Sequence, residues 1–78
     1  METEKISYND HKELLRLLKP FVDFMDSNGY SYLLLAGKDG KCARYLNGTV
    51  ADMSGMIADM AQKHKTVKKM FEHSLKLK

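Results

Sequence analysis

The chain has 78 residues, a mass of 8.9 kDa and 44% apolar residues, which is one domain at most and too apolar for a disordered chain. Its longest apolar run, Tyr32 to Ala36, falls far short of the roughly twenty residues of a membrane-spanning helix, and its one cysteine, Cys42, excludes an internal disulfide framework or a cysteine-cluster zinc site. The formal charge of +3 hides an asymmetry: residues 63–78 carry six lysines and one acid, residues 1–62 seven basic and nine acidic residues.

Residues 1–9 are polar and are expected to form a flexible N-terminal segment, with residues 10–78 as a single small domain. No apolar stretch follows Met1-Glu2-Thr3-Glu4-Lys5, so no secretory signal is expected, and a lone thiol suits a reducing cytoplasm. Asp10-His11-Lys12-Glu13 has the form of a capping box with Asp10 as N-cap. Leu14, Leu15, Leu17, Leu18, Phe21, Val22, Phe24 and Met25 then fall on one half of a helical wheel and the charged residues on the other. This spacing predicts an amphipathic helix over about 10–27, with Leu14, Leu18, Phe21 and Met25 in the core. Pro20 removes one backbone hydrogen bond, but the stripe stays in phase through it, so a bend is expected and not a break. Asn28-Gly29 ends the helix.

Two apolar runs follow, Tyr30 to Ala36 and Cys42 to Asn47, on either side of Asp39-Gly40. Both central residues of a type I′ turn need positive φ, which this dipeptide accepts, so the runs predict a hairpin. Its register sets Leu35 opposite Arg44, Leu34 opposite Tyr45 and Leu33 opposite Leu46. One face then carries Tyr32, Leu34, Ala36, Ala43 and Tyr45, the other Leu33, Leu35, Cys42, Arg44 and Leu46, and neither is cleanly polar.

Thr49 to Asp52 is a second capping pattern, and Val50, Met53, Met56, Ile57 and Met60 line one side of a helix over about 50–63. Lys63-His64-Lys65 breaks the apolar phase. Thr66 can cap a third helix over about 67–76 with Val67, Met70 and Phe71 inward, and one long helix over 50–76 stays open as an alternative. The expected fold is α+β, in the order helix, β-hairpin, helix, helix, with a two-stranded antiparallel sheet covered by helices.

Chemistry-bearing patterns are weak. Gly37-Lys38-Asp39-Gly40-Lys41 lacks the first glycine and the hydroxyl of a phosphate-binding loop, since Leu35 and Cys42 stand there. His64 and His73 would lie roughly 13 Å apart on a continuous helix, too far to share an ion. Cys42 with His11 and Asp10 has no spacing that supports nucleophilic catalysis. Asn47-Gly48-Thr49 matches a glycosylation sequon but reads as a turn and an N-cap. No enzyme activity, cofactor, metal, small-molecule substrate or membrane partner is expected.

Two functions remain. The apolar surplus points to a protein-interaction module, a homodimer or accessory subunit, because a hairpin apolar on both faces has helices for only one. Arg44 marks its own side as the outer one, since an unpaired buried charge is costly, so Leu33, Leu35, Arg44 and Leu46 form the expected contact face. The alternative is a nucleic-acid-binding accessory protein that uses Lys68, Lys69 and Lys76, with Tyr30, Tyr32 and Tyr45 stacking on bases.

Overall fold

A computed structural model describes residues 2–77. The element order is β1 (Thr3–Asn9), α1 (Lys12–Ser27), β2 (Tyr32–Lys38), β3 (Lys41–Thr49), α2 (Val50–Lys63) and α3 (Lys65–Ser74). The fold is mixed α+β, but the sheet has three antiparallel strands in the order β1-β3-β2, not two. The additional strand comes from the segment expected to be flexible: Thr3–Asn9 pairs with β3 along its whole length, from Thr3 opposite Thr49 to Asn9 opposite Ala43. Its physical cause is the unpaired edge that a hairpin offers, which a neighbouring chain segment can satisfy. Residues 1 and 78, the outer ends of the expected segment and domain, lie outside the described residues.

The hairpin forms around Asp39 (φ 53°) and Gly40 (φ 78°), both positive as a type I′ turn requires. Its register sets Leu35 opposite Arg44, Leu34 opposite Tyr45 and Leu33 opposite Leu46. Helix α1 runs unbroken through Pro20 and ends where Gly29 takes the left-handed conformation at φ 72°. Its start differs from expectation. His11 is the N-cap, its Nδ1 accepting from Leu14 N at 3.4 Å, because Asp10 is engaged elsewhere. The Asp10 carboxylate accepts from Cys42 N at 2.6 Å while Asp10 N donates to Cys42 O at 3.1 Å, which extends the β1–β3 ladder by one residue.

The core lies between α1 and the inner sheet face: Val22, Tyr32, Ala43 and Tyr45 are buried, with Leu14, Leu18, Met25, Leu34 and Ala36 packed against them. Phe21, expected inside, is 54% exposed. The apolar stripe of α1 covers half the helix wheel, whereas a sheet touches only the central part of a helix, so Val22 points in and Phe21 lies on the flank. Met60 and Phe71 are also exposed, and Ile57 and Val67 half-buried. The three helices do not share one face. α1 covers the inner face alone; α2 follows β3 directly and sets Met53 and Ile57 over Leu46 and Gly48 on the outer face. Thr49 caps α2 as expected, its Oγ1 accepting from Asp52 N at 3.1 Å. At His64 the backbone is extended (φ −133°, ψ 102°), so α2 and α3 are separate helices, and α3 starts at Lys65 with no side-chain cap from Thr66.

Candidate protein-interaction surface

The inner face is closed by one carboxylate. Asp26, near the end of α1, accepts from Tyr32 Oη at 2.6 Å, from Lys5 Nζ at 3.0 Å and from Asn47 Nδ2 at 3.1 Å. Lys5, Asn47 and Tyr32 form one row across β1, β3 and β2, so a single side chain ties the helix to all three strands. The Tyr32 hydroxyl, and then Lys5, hold the Asp26 carboxyl below its ordinary 3.8 against a smaller opposing effect of burial. Burial, reinforced by the bond to Asp26, pushes Tyr32 up to about 12.

The sign of the resulting pH dependence follows directly. A lowered folded pKa means that Asp26 stabilises the fold above its unfolded value and loses that contribution as pH falls through the folded one. Tyr32 acts oppositely: its contribution is complete below about 10 and lost as pH rises through about 12. The melting temperature is therefore expected to fall with acidification below about pH 4. Asp26→Asn should flatten part of that slope. Identical acid slopes for the two proteins, followed by circular dichroism from pH 6 to pH 2, would disprove this account.

The outer face is the candidate surface, and it has two halves. In the first, Ile6, Leu46 and Leu33 form a row across the strands, and Leu33 faces a groove lined by Met53, Met56, Ile57, Met60 and Phe71. In the second, Tyr8, Arg44 and Leu35 form the next row. The Arg44 guanidinium lies 4.3 Å from the Tyr8 ring centroid, a cation–π contact between neighbouring strands. Leu35 is 69% exposed. Of the four expected contact residues, Leu33, Leu35 and Arg44 are exposed on this face and Leu46 is half-buried beneath α2.

Sequence reasoning missed Ile6 and Tyr8, which belong to the strand it did not foresee. Their signal was present, as apolar residues two apart that alternate with the polar Lys5, Ser7 and Asn9. It also missed a second exposed apolar strip. Leu17, Phe21 and Phe24 recur at helical spacing along the flank of α1, and the Tyr30 ring lies 6.2 Å from Phe24. Leu17 borders Ala36 and Gly37 of β2, which places this flank beside the β2 edge of the sheet.

The lysine-rich helix is as exposed as expected: Lys68 and Lys69 lie on α3 and Lys76 just beyond it. The aromatic part of the nucleic-acid reading is corrected, because Tyr32 and Tyr45 are buried in the core and cannot stack on bases. His11 and Cys42 both border a groove of about 390 Å³ between α1 and the hairpin tip. His11 Nδ1 accepts from Leu14 N, and Cys42 Sγ accepts from Arg44 Nη1 at 3.4 Å. Among the described residues no helix is long and apolar enough to cross a membrane. Comparison with family models, curated proteins and solved structures gives no match to this chain.

Proposed function

We propose that this chain is a non-enzymatic protein-interaction module that works as a homodimer, with the β2–β3 hairpin at the contact. One observation carries the reading. A compact monomer of this mass exposes about 4,800 Å², whereas this chain exposes 6374 Å². The surplus is about 1,600 Å² per copy, above the roughly 800 Å² that each partner buries in a standard interface and in the range of permanent homodimers. Its radius of gyration, 13.8 Å, is likewise larger than the roughly 11.5 Å of a compact domain of this length. Large apolar side chains contribute to the exposed surface, and a group of them adjoins the hairpin: Leu33, Leu35, Ile6 and Tyr8 on the outer face, Leu17 and Phe21 beside β2.

A second copy is the occupant because a twofold contact is self-complementary and one patch then hides two surpluses at once. The unmodified chain is expected to sediment as a dimer at micromolar concentration. Leu35→Lys should yield a folded monomer. Each dimer contains the leucine twice, so the change should weaken association by roughly two to four orders of magnitude. A monomer at high concentration from the unmodified chain would overturn the proposal. Tight, saturable and salt-dependent binding of DNA or RNA through Lys68, Lys69 and Lys76 would favour the nucleic-acid reading instead.

A further inference from the structure

Resting on that reading, we infer that the second copy joins edge to edge: the two β2 strands pair antiparallel and make one six-stranded sheet, β1-β3-β2-β2-β3-β1. The argument begins with the direction of the backbone groups. Lys38 and Lys41 flank a two-residue turn, and such a flanking pair exchanges both of its hydrogen bonds. Alternate pairs along the ladder do the same, so Ala36, Leu34 and Tyr32 bond to β3. Leu33, Leu35 and Gly37 therefore turn their N–H and C=O groups away from the sheet. Cys42 gives an independent check, because its amide and carbonyl are both bonded to Asp10 on the β1 side and not to Gly37 opposite. No turn, loop or cap hydrogen bond among the described residues engages Leu33, Leu35 or Gly37.

The sheet has two free edges, and their chemistry separates them. β1 carries Glu4 and Lys5, and charged residues on an edge oppose pairing with another chain. β2 reads Tyr-Leu-Leu-Leu-Ala-Gly before Lys38 and has no charge among those six residues. An apolar, uncharged and unpaired edge is an invitation to strand addition, and natural proteins leave one open where a partner closes it. Exposed apolar side chains border both edges, but on β1 they are Ile6 and Tyr8 of the outer face, whereas at β2 they flank the edge on both sides. Leu33 and Leu35 flank it on the outer face, and the Leu17, Phe21, Phe24 strip of α1 flanks it on the inner side.

The register follows from the strand itself. β2 has seven residues, Tyr32–Lys38, and a twofold axis at Leu35 pairs all seven. Leu35 then meets Leu35 of the second copy as a hydrogen-bonded pair, and Leu33 meets Gly37. On the inner face Leu34 meets Ala36, and the two α1 flanks face one another across the joined strands. Arg44 and Leu46 lie on the central strand β3, so they are outside this contact and Leu33 and Leu35 are within it.

Hydrogen exchange on the unmodified chain tests the inference, with sedimentation on the same sample. In the dimer the amides of Leu33, Leu35 and Gly37 should exchange about a hundred-fold or more slower than those of Lys5 and Ser7, which point outward from the opposite edge. A dimer in which neither set is protected would overturn edge pairing and leave the homodimer reading intact; protection of Lys5 and Ser7 alone would show that the wrong edge was chosen. A monomer would sink both. As a second arm, Leu35→Pro removes one outward N–H and leaves the β2–β3 ladder complete. A folded, monomeric Leu35→Pro protein is expected, and a dimer of wild-type affinity from that variant would refute the pairing.

Discussion

Tyr45→Ala is expected to cost about 3–5 kcal/mol of folding stability, the range of a large aromatic removed from a packed core. Tyr45 sits on the central strand and is only 3% exposed. Its ring lies in the cluster with Val22, Tyr32 and Ala43, and its hydroxyl accepts a hydrogen bond from Asn9 Nδ2 at 3.3 Å. Truncation would thus open a cavity between α1 and the sheet and release one tie to the end of β1. A domain of this length has about 4–12 kcal/mol in total, so the variant should be largely unfolded at the lower end of that range. Tyr45→Phe keeps the ring and loses one hydrogen bond, for about 0.5–1.5 kcal/mol. Urea denaturation separates the two, and a loss under about 1 kcal/mol for Tyr45→Ala would show that the ring is not the centre of the core.

The second large effect is expected at Gly48. This residue sits near the end of β3 on the outer face, where α2 folds back over the sheet. A Cβ there would lie 2.9 Å from Met53 Sδ and from Ser31 Oγ, and 3.0 Å from Ser31 Cβ. Met53 is the buried residue of α2, so its thioether has little room to retreat. Gly48→Ala should therefore cost about 1–3 kcal/mol, as overpacking does, and should loosen α2 from the sheet. Gly55 in α2 makes the control. A Cβ there meets nothing within 4 Å, so Gly55→Ala should stabilise the helix by about 0.5–1 kcal/mol. Equal thermal midpoints for the two variants would contradict the close approach at Gly48.

Both predictions concern positions where a residue's role depends on neighbours distant in the chain. Tyr45 was placed on a face by strand alternation, but nothing in its sequence neighbourhood says which face α1 covers. Gly48 reads as an ordinary turn residue within Asn47-Gly48-Thr49, and only the packing of Met53 and Ser31 against it makes it necessary. The candidate surface divides in the same way. Leu35 and Arg44 were legible because hairpin register follows from the two-residue turn. Ile6 and Tyr8 became part of the surface only when β1 joined the sheet.

What the amino-acid sequence determined by itself is everything whose energy is local. Asp39-Gly40 specified the turn and through it the β2–β3 register, Thr49 the start of α2, Asn28-Gly29 the end of α1, and the unbroken stripe the passage of α1 through Pro20. Each depends on φ preferences, capping hydrogen bonds or side-chain period within a few residues. The tertiary structure decided the rest. Thr3–Asn9 became a strand because the outer side of β3 supplied its hydrogen bonds. Asp10 left its cap for Cys42, which gave that place to His11. Phe21 turned outward because a three-stranded sheet touches only the centre of a stripe half a helix wide. In each case the deciding term is a long-range contact, and a one-dimensional pattern records which residues can make it without recording which ones do.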